Sequence, residues 1–295
     1  MKKKAIVSVI SVICVIAVAV GIFAGCSSKK SNSNTSNSAQ KGAITVISRE
    51  EGSGTRDAFT ELMGVTDDNG NDATAQSAEI TNSTSVMMST VQGNKNAIGY
   101  VSLGSLSDSV KALKLDGAEA SVKTIKNGTY KLQRPFNIAY IDGSLSKEAQ
   151  DFIKFITSKE GEAIITKEGY IGIDATESYT ASKMSGTVTL AGSTSVAPVM
   201  NVLADEYKKL NPGMKIEIQE SGSSAGIESA MQGAVNIAMS SRELKNNEAA
   251  KLKSQKIALD GIAVIVNKEN KLDNITSEQV KDIFLGNTTT WDAIK

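Results

Sequence analysis

The sequence predicts an α/β fold, and two features of the chain support this prediction. First, a short β-rich segment, a loop rich in Ser, Thr and Gly, and a helical pattern follow one another, and this unit recurs four times. Strands that alternate with helices favour a sheet with parallel strands. Second, the chain after residue 42 has about 250 residues, which is enough for two modest lobes.

The four units are distributed over both halves of the chain. Their loops read SREEGSGT (48–55), AGSTS (191–195), ESGSSAG (220–226) and SSRE (240–243). The strands before these loops are predicted at 44–47, 187–190, 214–219 and 235–239, and the helices after them at 56–63, from Val199 to Leu210, at 227–231 and through Leu252. Asn211-Pro212-Gly213 should end the second of these helices.

Further elements follow from capping and burial patterns. Ser146 is a candidate N-cap for a helix, and Thr276 with Gln279 has the spacing of a capping box. The apolar run 262–266 is consistent with a buried strand. The stretch 172–186 is polar and aperiodic, so we interpret it as a linker.

The first 26 residues have the layout of a signal peptide. Three lysines precede an almost unbroken apolar run at 5–24, and small residues lead to Cys26. The layout resembles a bacterial lipoprotein signal, in which this cysteine receives lipid, although Phe23 departs from the usual Leu. An uncleaved transmembrane anchor is the alternative. Residues 27–42 are rich in Ser and Asn and predict a flexible tether.

Composition excludes several classes of function. The chain has 32 basic and 32 acidic residues, and without the three signal lysines the count is 29 against 32, which disfavours binding to nucleic acid. It has no His, and its two cysteines, Cys14 and Cys26, lie in the signal region. His-based catalysis, zinc sites that need imidazole and disulfides are therefore not expected, and we predict neither a cofactor nor a metal.

The four loops predict an anion site. Open α/β sheets bind ligands at the carboxyl ends of their strands, and helix N-termini present unpaired N–H groups to anions. Glycine allows close backbone approach, hydroxyl groups donate hydrogen bonds, and Arg49 and Arg242 add charge within two of the loops. Ordinary helix capping is the alternative for any single loop.

Two catalytic motifs have simpler explanations. GSSAG (222–226) matches G-x-S-x-G with Ser224 as nucleophile, but the chain has no His to act as its base. Ser144 and Lys147 match the S-x-x-K of Ser-Lys acyl enzymes, although their place at a helix start favours capping. We predict that the chain is not an enzyme, with an extracellular Ser-Lys hydrolase as a minor alternative.

Taken together, these stretches resemble the phosphate-binding proteins of bacterial ABC uptake systems. The matching stretches are VISREEGSGTRDAF (46–59), NAIGYVSLG (96–104), AGSTSVAP (191–198), SGSSAGI (221–227), MSSREL (239–244), ALDGIAVIVN (258–267) and DIFLGNTTTW (282–291). The resemblance implies a two-lobed, hinged clamp of the type II periplasmic-binding-protein kind. It also implies capture of inorganic phosphate in the cleft and delivery to a membrane permease of an ABC importer.

The resemblance also implies site residues. Those expected to contact phosphate are Arg49, Ser53, Gly54, Thr55, Thr194, Ser195, Ser223 and Ser241, with Ser193 and Arg242 as further candidates. Many relatives carry Asp at the position of Ser241, where it accepts the proton of hydrogen phosphate and rejects sulfate. Glu50, Glu51, Glu220 and Glu243 lie near the loops and are possible replacements. A binder of another oxyanion, such as sulfate, stays open as an alternative.

The order of the halves departs from the family. Residues 43–172 resemble its second half and 186–295 its first half, as in a circular permutation joined through 172–186. One lobe should then comprise 134–258, and the other 43–133 plus 259–295, with Gly42 and Lys295 close together. A fragment, a fusion or two chains exchanging halves are alternatives.

Location and role follow from these expectations. We predict a lipid-anchored protein on the extracellular face of the cytoplasmic membrane, with residues 1–26 as signal peptide and lipobox and Cys26 as the attachment point. A phosphate sensor or a surface adhesion module without a transport role is an alternative that the sequence leaves open.

Overall fold

A computed structural model describes residues 41–294 of the chain. The predicted signal peptide, Cys26 and the tether before residue 41 lie outside the described residues. The strands are β1 Thr45–Arg49, β2 Glu79–Thr81, β3 Ala97–Ser102, β4 Lys111–Ala112, β5 Lys114–Leu115, β6 Gln133–Tyr140, β7 Ser185–Gly192, β8 Gly213–Glu220, β9 Ile237–Ser240, β10 Lys253–Val266 and β11 Asn274–Ile275. The helices are α1 Gly54–Met63, α2 Thr84–Gly93, α3 Val122–Lys126, α4 Lys147–Ile156, α5 Lys159–Lys167, α6 Ala197–Leu210, α7 Ser223–Met231, α8 Asn246–Ala249 and α9 Ser277–Phe284.

One long mixed sheet runs through these residues in the order β2-β1-β3-β10-β6-β9-β7-β8. The strands that precede the four predicted loops pair in parallel, β1 with β2 and β3 at one end and β7 with β8 and β9 at the other. Between them, β10 runs antiparallel to both β3 and β6, and β6 runs antiparallel to β9. The α/β prediction is confirmed, and these antiparallel strands are an addition to it.

The two largest hydrophobic clusters among the described residues pack on different parts of the sheet. One surrounds Phe152, Leu203 and Tyr207, and we call the elements packed on it the Thr194 lobe. The other surrounds Phe59, Tyr100 and Trp291, and we call its elements the Arg49 lobe. Strand β10 pairs with β6 along its first part and with β3 along its last part, so it passes from one lobe into the other.

The start and the end of the described chain meet on the Arg49 lobe. The Gly42 carbonyl accepts a hydrogen bond from the Trp291 amide at 2.9 Å, and the Gly42 amide donates to Asp292 Oδ2 at 3.1 Å. The indole of Trp291 is buried, and its Nε1 donates to the Asn96 carbonyl at 3.1 Å. Trp291 is thus a packing residue.

Local capping chemistry sets many of the helix boundaries. Ser146 caps α4, and Thr276 with Gln279 forms the capping box of α9, as predicted. The prediction of a helix that extends through Leu252 is wrong, because α8 has only four residues and β10 begins at Lys253. The run 262–266 is buried strand, but it is only the end of a 14-residue strand.

The helices on the other predicted loops begin earlier than expected. Helix α1 begins at Gly54 rather than Arg56, and α7 begins at Ser223 rather than Ile227. The loops therefore contribute their own residues to the first helical turns. Within residues 41–294, no helix is long and apolar enough to cross a membrane.

Candidate functional site

The loop after β1 places a guanidinium beside a helix N-terminus. Arg49 ends β1 and is buried, and Ser53 caps α1 by accepting from the Arg56 amide at 3.5 Å. Gly54 and Thr55 form the first turn of that helix, whose unpaired amides favour an anion. A Cβ at Gly54 would overlap Ser223 Oγ of the other lobe, so this position requires glycine.

The loop after β7 brings three hydroxyl groups to the same place. Gly192 has φ +142° and lies against the Met239 backbone, where a side chain would not fit. Ser193, Thr194 and Ser195 follow it and are all buried. The Ser193 Oγ donates to Ser241 Oγ at 2.9 Å, which links this loop to the loop after β9.

The remaining two predicted loops meet beside it. Ser223 is the first residue of α7, and Ser241 directly follows β9. Their hydroxyl oxygens are 3.3 Å apart, and the Ser241 amide donates to Ser223 Oγ at 3.2 Å. Both residues are completely buried.

Hydrogen bonds between the two lobes close this cluster. Arg49 Nη2 donates to Thr194 Oγ1 at 3.0 Å, and the hydroxyls of Thr55 and Ser195 are 2.9 Å apart. The Ser224 amide donates to the Gly52 carbonyl at 3.0 Å. The structure thus brings together residues from all four predicted loops, in an arrangement of neutral donors around one guanidinium.

Thr84 is a member of the cluster that sequence reasoning missed. It begins α2, is buried, and its Oγ1 lies 3.2 Å from Thr194 Oγ1 and 3.1 Å from Ser195 Oγ. Arg49 Nη1 donates to the same hydroxyl at 3.4 Å. The preceding loop reads TNSTS (81–85), so its Ser/Thr composition was a signal of the same kind as in the other four loops.

Arg242 has a different environment from Arg49. Its Nη1 and Nη2 contact the Glu248 carboxylate at 2.7 and 2.9 Å, and Nη2 also donates to Ser224 Oγ. Its Nε lies 2.9 Å from Asp57 Oδ2 of the Arg49 lobe, an ion pair whose N–H does not point at the oxygen. The Nη1 and Nη2 donors of Arg242 are thus directed at protein groups, and its ion pair with Asp57 joins the two lobes.

Burial and ion pairing shift the pKa values of Arg242 and its two carboxylate partners in opposite directions. Burial raises the pKa of Asp57 even though the Arg242 charge partly offsets it. Burial disfavours the charge on Arg242, but Glu248 and Asp57 together outweigh this effect and raise its pKa. Burial likewise opposes the charge on Glu248, yet hydrogen bonds from Arg242 and Lys245 lower its pKa overall.

The hydrolase candidate residues lie apart from this cluster. Ser144 is exposed and donates its hydroxyl to the Ile141 carbonyl at 3.1 Å, and Lys147 is an exposed residue at the start of α4. Within residues 41–294, no group of three His, Cys, Asp or Glu side chains is placed to hold a metal ion.

A two-lobed α/β fold with facing donor-rich loops defines a hinged solute-binding protein. A family model described as a PBP superfamily domain matches residues 19–160 and 177–294. Phosphate-binding protein PstS 2 of Streptococcus agalactiae is 49% identical over 296 residues, which cover 99% of this chain and 98% of that protein. The chain therefore belongs to the PBP superfamily and, within it, to the PstS family of phosphate-binding proteins.

Two further comparisons describe the extent of the similarity. The crystal structure of a phosphate ABC transporter phosphate-binding protein from Streptococcus pneumoniae has a TM-score of 0.69 and 50% identity, and the match covers 86% of this chain and 100% of that one. Phosphate-binding protein PstS of Staphylococcus saprophyticus is 33% identical over 117 residues, 37% of each chain. The PstS proteins are solute-binding components of transporters and not enzymes.

Proposed function

We propose that this chain captures inorganic phosphate outside the cytoplasmic membrane and delivers it to the membrane permease of an ABC importer. The observation that carries the proposal is the convergence of buried hydroxyl groups from both lobes on Arg49. Hydroxyls, helix-terminal amides and one guanidinium form a set of donors suited to an oxyanion. The chain's membership of the PstS family supports phosphate as that oxyanion.

The proposed contacts come from both sides of the cleft. The Arg49 lobe supplies the guanidinium of Arg49 and the start of two helices, and the Thr194 lobe supplies the loops after β7 and β9 and the start of α7. The proposed phosphate ligands are Arg49, Ser53, Gly54, Thr55, Thr84, Thr194, Ser195, Ser223 and Ser241, with Ser193 beside them. We now assign Arg242 to contacts between the lobes, because Asp57, Glu248 and Ser224 surround its guanidinium.

Capture then depends on closure of the two lobes. The anion replaces hydroxyl–hydroxyl contacts such as the one between Thr55 and Ser195 with hydrogen bonds to its own oxygens. The protein donors replace the water shell of the anion. A missing donor therefore leaves a buried oxygen of the anion without a hydrogen bond, which costs about 1–3 kcal/mol of binding free energy. The closed lobes present one surface for docking on the permease.

The same proposal includes attachment to the membrane. The signal layout before Cys26 supports lipid attachment at that residue, and the Ser/Asn-rich tether would let the binding lobes move near the membrane. Metabolic labelling with a palmitate analogue should mark the wild-type chain and leave Cys26→Ala unlabelled. Equal labelling of both chains would contradict lipidation at Cys26.

We also propose that the halves of this chain are permuted relative to many PstS proteins. The S. agalactiae relative matches end to end, whereas the S. saprophyticus relative matches over about a third of each chain, as when a collinear alignment follows one half only. The hydrogen bond between Gly42, at the start of the proposed binding lobes, and Trp291, four residues before Lys295, supports this proposal. The proposed lobes are 134–258, and 43–133 plus 259–295, with 172–186 joining the ancestral ends.

A rearranged chain tests this second proposal. A variant that joins residue 295 to residue 43 through a short linker and opens within 172–186 should fold and keep phosphate affinity. If this variant is unfolded while the original chain is stable, the permutation proposal is wrong.

Isothermal titration of the purified chain in mild detergent tests the proposed function directly. Phosphate should bind at about 1 μM or tighter, a free energy near −8 kcal/mol. Sulfate is the second candidate ligand, because Ser241 is a hydroxyl residue and not a carboxylate. Tighter binding of sulfate than of phosphate at pH 7 would replace phosphate as the ligand, and binding of neither would refute oxyanion capture.

A further inference from the structure

One carboxylate outside the proposed ligand set lies in the contact between the two lobes. Asp57 belongs to the first turn of α1, on the Arg49 lobe, and its Oδ2 is 2.9 Å from Arg242 Nε of the Thr194 lobe. Arg242 follows Ser241 in the loop after β9. Because Asp57 and Arg242 belong to different lobes, opening of the lobes separates them.

Arg242 already has a carboxylate partner within its own lobe. Its Nη1 and Nη2 contact Glu248 at 2.7 and 2.9 Å, which is the bidentate geometry of a strong pair. Glu248 is held in place because it also accepts from the Lys245 amide at 2.8 Å. These contacts involve a single lobe and are independent of closure. Asp57 is therefore a second carboxylate beside a guanidinium whose charge is already balanced.

The contact between Asp57 and Arg242 has poor hydrogen-bond geometry. Asp57 Oδ2 and Arg242 Nε are both buried, and neither atom has a hydrogen-bond partner among the described residues, although only 2.9 Å separates them. Closure thus removes both atoms from water without a hydrogen bond in return, which is unfavourable. Opening returns the carboxylate to water and removes this penalty.

The charges around Asp57 do not compensate for its burial. Burial raises the pKa of Asp57, although the positive charges of Arg242 and Lys245 act in the other direction. Asp72, on the same lobe, adds a like charge. An ion pair that outweighed its own desolvation would lower this pKa instead. The ionised carboxylate is therefore less stable between the lobes than in water.

We propose that Asp57 opposes closure of the lobes, so that the closed form predominates only while an anion is bound and opens readily when the anion leaves. This inference rests on the hinged capture described under the proposed function and adds a residue that controls release. Part of the free energy of anion binding offsets the burial of Asp57, so the affinity is lower than the ligand contacts alone would give.

Two simpler roles for Asp57 predict different results. If its ion pair with Arg242 is a latch, removal of the carboxylate favours the open form and weakens binding. If Asp57 only repels the anion, its removal strengthens binding but leaves the lobes of the ligand-free protein where they were. A residue that opposes closure differs from both, because its removal closes the ligand-free lobes and strengthens binding together.

The distance between the lobes tests the proposal without a ligand. Spin labels on a keto amino acid at exposed positions 154, on α4, and 278, on α9, report one lobe each. Double electron–electron resonance at pH 7 should show that Asp57→Asn raises the ratio of closed to open chains about 2- to 5-fold, the range of a partly exposed ion pair. The matched control Glu61→Gln removes an exposed charge from the same helix and should keep the wild-type ratio.

Isothermal titration extends the test to the bound form. Phosphate affinity of Asp57→Asn should rise about 2- to 5-fold, and sulfate affinity should rise by the same factor if sulfate binds, because Asp57 acts on closure and not on the anion. A wild type that binds neither anion refutes the proposed function. The ligand-free distances still decide the role of Asp57 in that case.

A second variant removes the carboxylate without adding an amide. The new amide oxygen of Asp57→Asn could itself accept from Arg242 Nε, whereas Asp57→Ala offers no acceptor and should still shift the ligand-free lobes towards the closed form. Thermal melting establishes that each variant is folded. A shift towards the open form in both variants, an unchanged distance distribution in both, or an equal shift in Glu61→Gln would overturn the proposal.

Discussion

Two buried arginine–carboxylate pairs of this molecule differ in how open their surroundings are. Arg49 and Glu50 lie at the cleft, where the carboxylate side chain is 25% exposed. Arg134 and Asp260 lie on β6 and β10, and each of their side chains is 1% exposed. The guanidinium of the first pair also contacts two hydroxyl residues, Thr84 and Thr194. The first pair is therefore partly open to solvent beside the proposed ligand residues, whereas the second is enclosed within the strands that connect the lobes.

The enclosed pair is held by several hydrogen bonds, but two buried polar atoms at this position have no hydrogen-bond partner. Arg134 Nε and Nη2 donate to Asp260 Oδ2 at 3.3 and 3.1 Å, and Ser102 Oγ donates to Oδ1 at 2.9 Å. Arg134 Nη1 and Tyr170 Oη are buried without a recorded partner. Burial raises the pKa of Asp260 and lowers that of Arg134, because desolvation opposes each charge more strongly than its partner stabilises it.

Breaking the enclosed pair should have the largest effect on stability. Arg134→Met or Asp260→Asn alone should lower the free energy of unfolding by about 3–5 kcal/mol, because each leaves its partner buried without an opposite charge. The double variant Arg134→Met with Asp260→Asn should recover part of this loss. Urea unfolding of all four chains gives the coupling energy of the pair.

The double variant also shows which outcome would contradict this prediction. Losses that simply add in the double variant would show that the two charges do not depend on each other. Phosphate affinity of each variant that remains folded should change little, since neither side chain belongs to the proposed ligand set. A loss of affinity comparable to that of an Arg49 variant would mean that the enclosed pair acts on the cleft.

Changing the cleft arginine should instead affect binding and spare stability. Arg49→Lys keeps the charge but loses the planar fork that contacts Glu50, Thr84 and Thr194. We expect phosphate affinity to fall 10- to 100-fold, about 1.4–2.7 kcal/mol, with a melting temperature close to that of the wild type. Titration calorimetry and thermal melting check both parts. Unchanged affinity would remove Arg49 from the proposed site.

The sequence was informative where the signal is local. Strand, Ser/Thr/Gly loop and helix follow one another within a few residues, so the loops that contain Arg49, Thr194, Ser223 and Ser241 were found from composition alone. Thr84 was missed because β2 has three residues, two of them exposed, and such a strand leaves no hydrophobic pattern. A short strand can thus conceal a loop of the same composition as its neighbours.

Contacts between residues distant in the chain could not be predicted, because local sequence patterns carry no information about them. Strand β10 begins with polar residues at 253–256, three of them exposed, so only its buried end was predicted. Arg134 and Asp260 are 126 positions apart, and nothing in their local sequence indicates that they meet. Arg242 was recognised as a charge within a loop, but its partners Asp57 and Glu248 depend on how the lobes close.

The smallest expected effects lie at Arg242, where two carboxylates should show opposite dependence on pH. The pKa of Asp57 is raised in the folded protein, so its contribution to stability is greatest below its unfolded pKa of about 3.9 and decreases as the pH rises through the folded pKa. The pKa of Glu248 is lowered, so its contribution is present above about 4.3 and is lost as the pH falls through the folded pKa.

Replacing each carboxylate in turn should make this contrast visible. Relative to the wild type, Asp57→Asn should gain stability between pH 4 and pH 7, whereas Glu248→Gln should lose stability at pH 7 and approach the wild type below pH 4. For Asp57→Asn the change should stay within about 1 kcal/mol, because the carboxylate is partly exposed to solvent. Urea unfolding at several pH values measures both slopes. Slopes of the same sign would mean that the two carboxylates share one environment, and that Asp57 gains as much from Arg242 as Glu248 does.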